Sequence, residues 1–124
     1  MLNIENIFYK EDGILYLKTK GVININYYLK YIDYLSISDF LPRNLKILED
    51  SRDVTINLNK IDLDLIIDKL EIVSYNYVSI RHALVQNIPL NTAYGTYISN
   101  KVNNNIYYLK LFSTVVTATE WVRF

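Results

Sequence analysis

Cysteine is absent from the chain, which excludes disulfides, thiolate catalysis and every cysteine-ligated metal site together. A single histidine cannot build a histidine-rich metal site either. Neither sign of charge is in excess, because 13 basic and 13 acidic side chains balance to a formal net charge of zero. Nucleic-acid binders carry a basic surplus that neutralises phosphates, so no nucleic-acid partner is expected. No apolar run is long enough to span a bilayer, and Met1–Tyr9 lacks the basic start and apolar middle of a signal peptide. A cytoplasmic protein without stable membrane insertion is the expectation. Glycine is scarce, and no Gly-x-Gly-x-x-Gly or Walker pattern offers a phosphate loop. No cofactor is expected.

What is present is a core. Hydrophobic residues make up 51% of 124 residues, enough for one domain of two or three layers. Two strand-like runs, 4–10 and 14–19, flank Glu11-Asp12-Gly13, a hairpin signal because glycine accepts positive φ. Gly21 breaks the pattern, and Asn24 or Asn26 can cap a helix. Helical spacing then places Ile25, Tyr28, Leu29, Ile32 and Leu35 on one core-facing side.

Pro42 precedes a short apolar climb through Leu45, Ile47 and Leu48, read as a central buried strand flanked by parallel strands ending near Gln86 and Phe112. It is expected to stop in Asp50, Ser51, Arg52 and Asp53, leaving residues 54–58 as an unassigned connection. Asn59 with Asp62 forms a capping pair for a second helix, whose inward positions read as Ile61, Leu65, Ile66, Leu70 and Val73. Residues 79–86 read as a strand. Asn91 or Thr92 caps a third helix, 106–112 is the last strand, and Ser113 or Thr114 opens a final helix anchored by Trp121. The order β-β-α-β-α-β-α-β-α predicts an α/β fold with a mixed, mostly parallel sheet and helices packed on it, in a single domain spanning 1–124.

The hairpin start, Leu48-Glu49-Asp50, Arg81-His82-Ala83-Leu84-Val85, Tyr94-Gly95, and Phe112 followed by Ala118 and Trp121 stand in an order that resembles the STAS-like (SpoIIAA-like) domains. The likeness is to the small bacterial STAS/SEC14-like subgroup and covers nearly the whole chain. It implies a SpoIIAA-like fold and a non-enzymatic binding or regulatory role. The best-known relatives are anti-sigma-factor antagonists phosphorylated on a serine at the start of the second helix. Asn57-Leu58-Asn59-Lys60 has no hydroxyl residue there, and Ser51 and Thr55 come earlier. The SEC14-like label implies the alternative of a carrier for a lipid or small apolar ligand.

Two groups of residues are candidates for the partner or ligand contact. Asp50, Ser51, Arg52 and Asp53 would lie past the carboxyl end of a central strand, where α/β folds meet their ligands. Arg52 is there either an anion anchor or one half of an internal Arg–Asp pair. Glu49 and Asp50 should point opposite ways along the strand, which argues against a shared cation. Tyr27, Tyr31 and Tyr34 form a stripe placed away from the apolar helical face. They are either a protein interface, a homodimer about a two-fold axis being the simplest, or ordinary half-exposed tyrosines. His82 reads as a hydrogen-bonded strand residue, and Gly95 as a site of close packing.

Overall fold

A computed structural model describes residues 4–123, with side chains from Phe8 onward. The described residues form five strands and four helices: β1 (Ile4–Tyr9), β2 (Ile14–Ile23), α1 (Ile25–Ile37), β3 (Asn44–Ile56), α2 (Lys60–Ser74), β4 (Ser79–Val85), α3 (Pro89–Val102), β5 (Tyr107–Phe112) and α4 (Val115–Arg123). Local chemistry accounts for most of the boundaries. Gly13 adopts φ 69° and donates its N–H to Tyr9 O at 2.7 Å, while Asp12 Oδ1 accepts from Ile14 N, closing the β1–β2 hairpin. Asn24 Oδ1 accepts from Asn26 N and starts α1. At α2, Asn59 Oδ1 accepts from Asp62 N at 2.8 Å and Asp62 Oδ2 accepts from Asn59 N at 3.1 Å, a complete capping box. Thr114 Oγ1 does the same duty for α4 by accepting from Thr117 N.

α3 begins earlier than its asparagine and threonine imply. Pro89 occupies its first turn, where a missing N–H costs nothing. Asn91 is left free to face inward, and its Nδ2 donates to Val54 O at 2.9 Å.

The strands lie in the order β1-β2-β3-β4-β5, with β1 antiparallel at one edge and the other pairings parallel. β3 is central, but its neighbours are β2 and β4, and β5 lies beyond β4. Each crossover advances one strand in the same direction, so connections of one hand fall on one face of the sheet. α1, α2 and α3 accordingly share the main core with Leu45, Ile47, Ile80, Tyr107 and Leu109. α4 covers the opposite face, where Ala118 and Val122 pack with Ile14, Leu48, Ala83 and Val85. Beside it Arg81 stacks its guanidinium 4.0 Å from the Trp121 ring, which anchors the helix.

Three expectations from the sequence are corrected. β3 does not stop at Asp50–Asp53 but runs on to Ile56. Lys18 pairs with Asp50 and Lys20 with Asp53, so Thr19 stands opposite both Ser51 and Arg52. This bulge changes the phase of the strand. Leu45, Ile47, Glu49 and Ser51 are buried before it, and Val54 and Ile56 after it. In α2, Leu63 rather than Ile61 or Leu65 joins Ile66, Leu70 and Val73 in the core. At about 100° per residue Ile61 lies about 160° round from that arc, and it is 79% exposed.

The third correction concerns the tyrosine stripe. Tyr27 and Tyr31 retain only 1% and 7% of their exposure, and Tyr34 packs edge-to-face on Phe40. The helix buries a broad arc because it packs on both the sheet and α2. Tyrosine can enter such an arc when its hydroxyl finds a partner. Here both buried hydroxyls do, and the stripe is not a surface on which a second copy could dock.

Candidate functional site

The inward face of β3 carries one residue that a hydrophobic strand should not contain. Glu49 is 4% exposed, at the centre of the sheet and beneath α1. An isolated buried carboxylate is very costly, so its partners decide whether it is tolerated. Parallel pairing places β4 beside it, where His82 Nε2 comes within 2.8 Å of Glu49 Oε1. Tyr27 donates from α1 to Oε2 at 2.7 Å, and Ser51 donates to the same oxygen at 3.1 Å. Ser51 Oγ is in turn 3.0 Å from Thr19 Oγ1 on β2.

Burial pushes the Glu49 carboxyl up, but the hydrogen bonds from His82, Tyr27 and Ser51 outweigh it and hold the group below its ordinary value. An ionised carboxylate is only an acceptor, so His82 Nε2 carries the proton of that bond. The other imidazole nitrogen, Nδ1, lies 2.6 Å from the Tyr107 hydroxyl on β5. Tyr107 is 3.2 Å from the Tyr31 hydroxyl, which completes a chain across four strands and one helix. Burial raises the titration of Tyr27, Tyr31 and Tyr107, keeping all three as neutral phenols.

Beside this network lies a cavity bounded by the sheet and by α1, α2 and α3. Its volume is about 40 Å³, room for roughly three waters at ~10–15 Å³ each. Its wall is mostly aliphatic and aromatic, including Ile32, Ile66, Leu70 and Leu84. Glu49, His82 and Tyr107 form its floor, and Gln86, just past the end of β4, forms part of its side. Gln86 Oε1 is buried with no hydrogen-bond partner among the described residues. It lies against Gly95, where a Cβ would come within 3.0 Å of it and within 2.8 Å of Leu111 Cδ2. The glycine of the third helix is therefore a close-packing position that keeps room for the amide.

The residues that the sequence singled out are divided by the sheet. Ser51 joins the Glu49 network. Asp50 and Arg52 face away from it and hold each other, with Arg52 Nε and Nη2 donating to the two Asp50 oxygens at 2.9 and 2.8 Å. Those bonds hold the Asp50 carboxyl below its ordinary value. Asp53 is exposed. Arg52 is thus half of an internal pair, and the four residues do not converge on one site. No cluster of three or more possible metal-binding side chains occurs among the described residues.

His82 is the hydrogen-bonded strand residue and Gly95 the close-packing position that the sequence implied, but their meeting in one cavity was not visible because its residues come from distant parts of the chain. Glu49 inside an apolar strand, in register with a strand carrying the sole histidine, is the one signal that pointed to them.

No protein-family model matches the chain, and no curated protein matches it. Among solved structures it is similar to an uncharacterised protein of the DUF3478 family from Shewanella loihica PV-4, described as having a SpoIIAA-like fold. The two share 14% identity and superpose with a TM-score of 0.62 over 98% of this chain and 93% of that one. The chain has a SpoIIAA-like fold. At that identity the likeness carries the architecture alone. No helix among the described residues of this SpoIIAA-like chain is long and apolar enough to cross a membrane.

Proposed function

We propose that the protein is a non-enzymatic binding module that takes one small, largely apolar molecule into the cavity beneath α1–α3. The observation that carries this reading is the cavity itself, apolar over most of its wall and holding a buried amide oxygen without a partner. Pockets of this make-up, apolar with a few fixed polar groups, are how proteins hold small ligands. A lipid carrier in the SEC14 sense would need more space than this conformation offers, so a ring-sized or short-chain molecule fits better.

The groups that would be needed for catalysis are occupied with one another. Both nitrogens of His82 and both oxygens of Glu49 are already hydrogen-bonded, so no free base stands beside a nucleophile. Ser51 is buried within the same network, which argues against its use as a phosphorylated switch.

Native mass spectrometry of the protein purified from cells tests the reading. A small mass that is lost on denaturation is expected. A bare chain mass, together with no chemical-shift change at Tyr28, Gln86 or Ile98 on adding small aromatic molecules, overturns it.

A protein-binding role is the second reading, favoured by exposed Ile37, Ile72, Tyr75 and Val78. Arg43 ties the ends of α1 and α2 together by donating to Ser38 O and Asn76 O, which brings these apolar residues to one end of the domain. Sedimentation of the pure protein that shows a dimer weakened by Tyr75→Glu would support it.

A further inference from the structure

The polar groups in the cavity wall define what head group the occupant carries. The geometry points to an uncharged molecule with an apolar body and a hydroxyl that meets the Gln86 side chain, an inference that rests on the binding role proposed above. Three observations lead there.

First, Gln86 is buried and its Oε1 has no partner among the described residues. A buried amide left unpaired is costly, and a ligand that supplies the missing bond removes that cost. A hydroxyl both donates and accepts, so it can serve either edge of the amide.

Second, Gln86 owes its place in the cavity wall to Gly95, where even a Cβ would press on Oε1. The amide oxygen thus rests on the bare backbone of α3, and the Gln86 side chain forms part of the cavity wall beside it.

Third, the cavity can take no anion. Neither lysine nor arginine lines it among the described residues. Its only charged floor is Glu49, and the imidazole of His82 already spends both nitrogens on Glu49 and Tyr107. A ligand carboxylate would lose its hydration, find no cation in return and lie near the Glu49 carboxylate.

Two matched pairs of small molecules test this by NMR titration of the whole protein. Phenol and toluene have the same size, and in a purely apolar cavity toluene wins because phenol gives up its hydration. With Gln86 as partner, phenol is expected to bind at least as tightly as toluene. Gln86→Met keeps the length and flexibility of the side chain, and it should return the advantage to toluene by about tenfold. Benzamide and benzoate share a shape, and benzamide alone is expected to bind. Toluene binding tenfold or more tighter than phenol to the unaltered protein overturns the hydroxyl assignment, and so does benzoate matching benzamide. Either result leaves the apolar-ligand reading standing. Failure of all four molecules to bind, with a bare native mass, instead defeats that reading and the assignment with it.

Discussion

His82 Nε2 lies 2.8 Å from Glu49 Oε1, and both side chains are buried under three helices. A buried pair of this kind is a poor source of net stability but an expensive one to break, since the survivor is left uncompensated. Glu49→Leu or His82→Leu alone should lower unfolding free energy by about 3–5 kcal/mol. The double replacement should cost clearly less than the sum of the two, in a urea-denaturation cycle. Additive losses would mean that the two groups do not depend on each other.

Acid should destabilise the protein through the same carboxylate. The Glu49 carboxyl titrates below its ordinary value near 4.5 in the folded state. Its contribution is therefore fully present above that value and is lost as pH falls through the depressed one. Asp50, held down by Arg52, acts with the same sign at a more exposed site. Stability measured from neutral pH downward should decline below about pH 4.5, and Glu49→Gln should flatten the larger part of that decline.

Tyr31 should behave as a core residue. Tyr31→Phe removes only the hydroxyl that meets Tyr107 and is expected to cost about 1 kcal/mol. Tyr31→Glu would bury a second carboxylate within reach of Glu49, and far-ultraviolet circular dichroism should show an unfolded chain.

Arg52 should matter little. Its side chain is 40% exposed and its Nε and Nη2 already hold the Asp50 carboxylate. Arg52→Ala is expected to leave the urea-unfolding midpoint essentially unchanged. Isothermal titration of the unaltered protein with inorganic phosphate should show no heat assignable to this residue.

The α2 capping box offers a change remote from the cavity. Asn59→Ala should cost about 1 kcal/mol by leaving the first-turn N–H groups of α2 without their acceptor. Ligand retention in native mass spectrometry should be unaffected.

Much of the architecture was legible because it is written locally. Asp12-Gly13 specifies a turn and Asn59 with Asp62 a helix start, each within four residues of sequence. Tyr27 and Tyr31 were not legible in the same way. A helical wheel records that they are amphipathic, but not that Glu49 and Tyr107 wait across the core for their hydroxyls. The end of β3 was misread for a related reason. Asp50 and Arg52 look like a terminus until their mutual pairing is seen, and the bulge at Ser51 and Arg52 breaks the alternation that would have extended the strand. Gln86 carried no signal at all, since an unpaired amide is a property of its surroundings.

The Asn91 side chain has a consequence for how the sheet ends. β4 stops pairing at Val85 opposite Asp50, yet β3 continues with β2 alone as far as Ile56. Among the described residues that overhang has one flank with no neighbouring strand, the kind of flank onto which a strand of another chain can zip. Asn91, carried on the first turn of α3, reaches across and takes the Val54 carbonyl. One amide group thus stands in for the missing strand, and the helix that lines the cavity also occupies the carbonyl that a docking strand would need.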